Sequence, residues 1–171
     1  MLASRIVPLW GGVAAGGFAE VLAHKNRKLT GGEWAKAVRA GKLQRACKQL
    51  HKKRKTGPWH VLCDKESFLR SRVAQAAYAA QKIVLWKLPP RSPDLNPVER
   101  FWGWLRRRMR QRDLQDLYAG RRPLGLTAYR LRLRAVRKSK KAQQVARACA
   151  LGLRRVCQEL VSKGTGAATS G

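Results

Sequence analysis

Acidic residues are scarce in this chain, so the placement of each is informative. Its 171 residues carry 38 Lys and Arg against 9 Asp and Glu, a formal charge of +29 at pH 7. Two carboxylates stand where chemistry could be done. Glu99 opens a helical pattern after Asn96 and Pro97, on a loop that Pro89, Pro90, Pro93 and Pro97 stiffen by fixing φ and restricting the residue before each of them. Asp64 stands at the carboxyl end of Trp59-His60-Val61-Leu62-Cys63, a strand-like run, and that end is where ligand sites form in α/β sheets. Carboxylate oxygens are the hard ligands that Mg²⁺ and Mn²⁺ prefer. Each acid also has a plainer use. Asn96-Pro97-Val98-Glu99 fits a capping box, and Asp64 fits the N-cap of a following helix.

The positive excess points to a polyanionic partner, because each phosphate neutralised by Lys or Arg releases counterions. An anionic membrane surface offers the same attraction, but no stretch is long and apolar enough to span a bilayer. Nucleic acid is therefore favoured, and DNA held through its phosphates without sequence preference is the expected partner. Candidate phosphate contacts are Lys52, Lys53, Arg54, Lys55 and Arg91, together with Arg106, Arg107, Arg108 and Arg110 on the polar side of the helix that Glu99 opens. For residues 52–55 a solvated loop is an equal alternative. Cys47, Cys63, Cys149 and Cys157 form no CxxC pair, and His60-x-x-Cys63 is at most half of a zinc motif. Cys149 and Cys157 fall on an apolar helical stripe, so buried, reduced thiols in an intracellular setting are expected. Residues 1–17 mimic a secretion signal, but so basic a chain fits a nuclear or nucleoid-associated location better.

The elements that must position the two acids can be followed along the chain. Residues 5–14 and 17–24 read as a hairpin turning at Ala15, Gly16 and Gly17, with Pro8 marking an edge or irregular position. Residues 33–50 read as one helix interrupted by Gly41. A buried strand follows at 59–63, then a helix at 65–81, and a strand at 83–88 leads into the proline loop. Val98, Phe101, Trp102, Leu105 and Met109 then share one side of a helix. Residues 127–137 alternate like a strand but fit a helix by composition. Ala142, Val145, Ala146, Cys149, Leu153, Val156, Cys157 and Leu160 keep helical spacing throughout. Residues 162–171 are small and Gly-rich, and read as a disordered tail.

The run Leu88-Pro-Pro-Arg-Ser-Pro-Asp-Leu-Asn-Pro-Val-Glu-Arg-Phe-Trp102 resembles the last catalytic segment of mariner-type DDE transposases and their bacterial insertion-sequence relatives. Val-Pro-Leu-Trp-Gly-Gly-Val at 7–13 is similar to that family's second strand. The resemblance implies an Asp at the end of a strand and a Glu after 34 intervening residues, which Asp64 and Glu99 match. It implies a ribonuclease-H-like α/β fold, a mixed sheet with flanking helices, and DNA strand cleavage and transfer by two divalent cations, Mg or Mn, held about 3.5–4 Å apart by three carboxylates. Asp64 and Glu99 would then be catalytic, metal-binding residues. Lys65 stands where the family usually has Asn, placing a cation beside them.

The family's first strand, with its Asp, has no counterpart here, because Glu20 and Glu33 do not match that position. The expectation is thus a catalytic domain lacking its first strand over residues 1–118, a basic helical extension over 119–161, and a domain incomplete for catalysis. The alternative is a non-enzymatic basic nucleic-acid-binding protein derived from a mobile element. A regulator that pairs with a full-length transposase is a third reading. Without the first strand, the hairpin and the 59–63 strand face a gap: their edges close on each other, the hairpin detaches, or another chain supplies a strand.

Overall fold

The computed structural model describes residues 7–23, 28–51, 58–89, 92 and 95–166. The chain begins with strands β1 (Leu9–Ala14) and β2 (Gly17–Ala23), an antiparallel hairpin. Gly17 turns it at φ +117°, a conformation that L side chains rarely adopt. Helix α1 (Gly31–Arg39) starts at Thr30 with a complete capping box, in which the Thr30 side chain and Glu33 satisfy each other's backbone amides. The single helix expected over 33–50 is in fact two. Gly41 takes φ +73°, which ends α1 and lets α2 (Lys42–Leu50) set off in a new direction. An interruption by glycine was legible; its conversion into a corner depends on the left-handed conformation it adopts.

Strand β3 (Trp59–Cys63) pairs in parallel with β4 (Ile83–Lys87), and a 3₁₀ turn (Ser67–Arg70) and helix α3 (Arg72–Ala80) make the crossover. The helix expected from residue 65 therefore starts later, capped by Ser71 rather than by Asp64. Only one face of β3 and β4 is covered. Trp59 and Ile83 are buried, whereas Leu62, Val84 and Trp86 are exposed, so the strand expected to be buried is half-solvated. Trp86 Nε1 donates to His60 Nδ1 at 2.9 Å on that outer face.

The proline loop leads into α4 (Pro97–Tyr118), which runs unbroken through the whole expected helix and the segment after it. Helices α5 (Leu126–Lys138) and α6 (Lys140–Gly166) follow. Helix, not strand, is thus what residues 127–137 form, and α6 carries on to Gly166 where a tail was expected from residue 162. Residues 167–171 lie outside the described residues.

Two cores result. One lies between α1, α2, α3 and the inner faces of both sheets, where Trp34, Ala35, Val38, Ala74 and Ala77 are buried. Within it Trp34 Nε1 donates to the Tyr78 hydroxyl at 2.6 Å, and that hydroxyl donates to the Leu69 carbonyl at 3.2 Å. Burial pushes the Tyr78 hydroxyl up to about 12. The other core joins α4, α5 and α6 to the hairpin through Phe18, Phe101, Leu105 and Met109. Strand β1 faces both. Leu9 and Val13 pack with the second core and Trp10 with the first.

Among the described residues the two sheets do not join. Each has two strands, β1 with β2 and β3 with β4. The architecture is mixed α/β, two small sheets with flanking helices, consistent with the ribonuclease-H-like fold expected, although the strands form two sheets rather than one. What attaches the hairpin is side-chain packing. Phe18 lies flat on Phe101 with ring centroids 4.6 Å apart, and its amide donates to Gln143 Oε1 at 2.9 Å. Arg137 of α5 pairs with Glu20 of β2. Helices α4 and α5 are clipped by Arg132, which contacts both Asp113 and Asp116, while Arg121 pairs with Asp116 at 2.9 Å.

Truncating Phe101, which is fully buried, removes the ring on which the hairpin rests. Phe101→Ala is expected to cost about 3–5 kcal/mol in urea unfolding, and to speed amide exchange in β1 and β2 more than in β3 and β4. The hydrogen bond from Arg132, helped by Arg121, holds the Asp116 carboxyl below its ordinary range against the opposing effect of burial. Because its folded value is lower than its unfolded one, Asp116 stabilises the protein at neutral pH. That contribution is lost as pH falls below about 4, the ordinary Asp value. Thermal unfolding of Asp116→Asn should accordingly show a lower Tm at pH 7 and a weaker dependence on pH below 4.

Candidate active site

Asp64 follows the last residue of β3, and Glu99 sits in the first turn of α4; both side chains are exposed. One acid follows a strand and the other opens a helix, yet both line one cavity of about 620 Å³ between β1 and β3. Glu66, two residues beyond Asp64, lines it too. Sequence reasoning passed over Glu66, whose only signal was its spacing from Asp64. The hollow is far larger than a cation, and most of its wall is apolar.

The plainer uses of the two acids are not the ones the structure shows. Asp64 does not cap α3, since Ser71 does. Asn96 occupies the N-cap position of α4 but makes no side-chain capping bond, so the capping box expected with Glu99 does not form. Asn96 is instead buried against the cavity, and its backbone carbonyl accepts from the Glu99 amide at 3.1 Å. Other acids are occupied. Glu33 caps α1, Glu20 pairs with Arg137, Asp113 and Asp116 bind arginines, and Glu159 pairs with Arg155. Asp64, Glu66 and Glu99 enter no ion pair among the described residues, although the chain is crowded with cations.

A divalent cation needs more than proximity to one wall. No group of three His, Cys, Asp or Glu side chains lies close enough to hold a metal among the described residues. Asp64 and Glu99 offer suitable oxygens, but with Glu66 they do not make a closed ligand set. His60 and Cys63 likewise make no zinc site: His60 Nδ1 is taken by Trp86. The Cys63 thiol is pushed up by burial and by the neighbouring Asp64 charge. No disulfide forms, and the cysteines expected to be buried are not: Cys149 is half-buried and Cys157 exposed, because the outer turns of α6 reach past the second core.

Arg106, Arg107, Arg108 and Arg110 are all exposed on α4, and Arg108 reaches only Gln111, at 3.4 Å. A helix rises about 1.5 Å per residue, so this basic stretch starts roughly 10 Å along the axis from Glu99. Lys52, Lys53, Arg54, Lys55 and Arg91 lie outside the described residues. No described helix is long and apolar enough to cross a membrane.

A family model described as DDE superfamily endonuclease matches residues 22–119, more than half of the chain. The chain belongs to the DDE superfamily endonucleases. No curated protein matches it. In this DDE endonuclease chain the matched segment runs from β2 to the end of α4, so both cavity carboxylates fall within it. Helices α5 and α6 lie beyond the match.

Proposed function

We propose that this chain is a transposase-like DDE domain of the mariner type, corresponding to the later part of a catalytic domain, that binds DNA through its phosphates. Asp64 and Glu99 are its metal-binding, catalytic carboxylates. One observation carries the reading: in a family whose members generally use divalent metals, the two acids at the family's strand-end and helix-start positions line the same cavity and enter no ion pair among the described residues.

Asp64 and Glu99 would be among the residues that hold divalent cations, Mg or Mn, and such cations would supply Lewis-acid stabilisation of the attacking and leaving oxygens. This chain's own part is to present two exposed carboxylates at fixed points, one at a strand end and one on a helix begun by Pro97. Two are fewer than such a site needs, and Lys65 adds a cation beside Asp64. The domain alone is therefore expected to bind DNA without cutting it. The exposed arginines of α4 supply phosphate contacts without base readout, which suits non-specific binding to chromosomal DNA in a nucleus or nucleoid. The same arginines favour the second reading, a basic DNA-binding protein with no catalytic role, and a full-length transposase is a natural partner under either.

Purified chain should retard duplex DNA of any sequence, with affinity falling steeply as salt rises. Replacing Arg106, Arg107, Arg108 and Arg110 by Gln should flatten the log–log salt slope by about three to four units, near 0.9 for each phosphate that is no longer neutralised. An unchanged slope would show that this face does not touch phosphate. Incubation of supercoiled plasmid with Mn²⁺ is expected to give no nicked product. Nicking that disappears in Asp64→Ala and Glu99→Ala would make the chain a complete nuclease and overturn its incompleteness. Nicking that survives both substitutions would remove these residues from the reaction.

A further inference from the structure

Parallel strands are ordinarily covered on both faces, because crossover helices pack against each side. The β3–β4 pair departs from this. Val61, Cys63 and Leu85 point into the core with α1, α2 and α3, and the residues between them point the other way. On that outer face His60 stands opposite Val84 and Leu62 opposite Trp86. All four are exposed, and Trp86 keeps 58% of its surface in solvent, although an indole gains more from burial than almost any other side chain. The ring is also held in place. Its Nε1–H donates to His60 Nδ1 at 2.9 Å, with the two ring centroids 6.0 Å apart and the planes inclined by 38°.

Size and charge limit what such a face can hold. Four side chains fall well short of the roughly 800 Å² that each partner buries in a standard protein interface. A second copy of this chain would bring one formal charge of +29 against another. A nucleobase fits on both counts. It needs a single ring face, and its strand is the polyanion that so basic a chain attracts.

We infer that Trp86, held by His60 and flanked by Leu62 and Val84, is a stacking platform for unpaired bases of a DNA strand. The platform presupposes the DNA binding proposed above and adds the state of the DNA. Bases within a duplex stack on one another and offer no face to an indole, so single-stranded or opened DNA is what it takes. Position gives the platform a use. His60, Leu62 and Asp64 line the same cavity, and two residues of extended chain, roughly 7 Å, separate Leu62 from Asp64. A base resting on Trp86 therefore places its strand beside that cavity. Lys65 and Lys87, exposed at the carboxyl ends of β3 and β4, offer phosphate contacts there, whereas Asp64 and Glu66 repel phosphate. Local affinity thus comes from the base more than from charge.

The probe is a dye-labelled oligothymidylate of about 15 nucleotides, titrated into the full chain without metal and followed by anisotropy. Trp86→Leu keeps an apolar side chain but removes the ring face, and should weaken binding about fivefold or more. Trp86→Phe keeps a ring and should recover most of the loss. An abasic strand of equal length carries the same phosphates without bases, so the parent and Trp86→Leu should bind it equally. Because Trp86 is exposed, both variants should melt with the parent and bind duplex DNA as it does. The platform is disproved if Trp86→Leu binds oligothymidylate as tightly as the parent, or if the substitution weakens the abasic strand by the same factor. It is disproved too if the parent sediments as a dimer that Trp86→Leu dissociates, since the face is then an interface between copies. Duplex retardation without any effect of Trp86→Leu ends the platform and leaves the phosphate contacts of α4 standing. Weakening by Trp86→Leu beside an unchanged salt slope in the α4 arginine variant does the reverse, and binding of neither duplex nor single strand ends both.

Discussion

The core against α1, α2 and α3 is what makes one body of two half-sheets, because Ala19, Val21 and Leu22 of β2 are buried in it together with Trp59 of β3 and Ile83 of β4. A ladder of backbone hydrogen bonds would ordinarily carry a sheet from one strand to the next, but here it stops after β2 and resumes only at β3. Continuity passes through side chains: the ring pair, the Gln143 hydrogen bond and the Arg137–Glu20 ion pair tie the hairpin to α4, α5 and α6. Trp10 against Phe68 ties the same hairpin to the other helical layer. Side-chain packing rather than a ladder relates the two sheets, and the cavity lies among β1, β3 and the start of α4.

Charge is distributed with a similar economy. In so basic a chain any reachable carboxylate attracts an arginine, and most of the acids serve as clips between elements or as a helix cap. Arg132 with Asp113 and Asp116 fixes α5 on α4, and Glu20 fixes β2 on α5. Among the described residues, the three acids that enter neither an ion pair nor a helix cap share the cavity between β1 and β3. Structural duty accounts for the others, and it does not account for these. That contrast is what gives Asp64 and Glu99 a claim on chemistry, apart from the family to which the chain belongs.

Much of the fold could be read from local pattern, and the failures have identifiable causes. The hairpin, the α4 stripe and the α6 stripe were legible because each rests on spacing and turn chemistry within a few residues. Capping was less so. Asp64 and Glu99 both stood at plausible cap positions, yet Ser71 caps α3, and Asn96 turns inward to the cavity instead of completing a box. A cap is a competition among neighbours for the same amides, and tertiary burial decides the winner. Cys157 lay on the apolar stripe of α6 but is exposed, because periodicity gives a face and not the length over which that face is covered.

By itself the sequence determined the chain's strong positive charge and the separation of Asp64 and Glu99 along it, since charge, proline stiffness and residue identity do not wait for folding. Only the tertiary structure decided how the strands associate: among the described residues the hairpin and the parallel pair are separate sheets, joined by side-chain packing against α1, α2 and α3. It also decided that Asp64, Glu66 and Glu99 share one hollow, since no local rule relates a residue on the α3 side of the sheet to one at the start of α4.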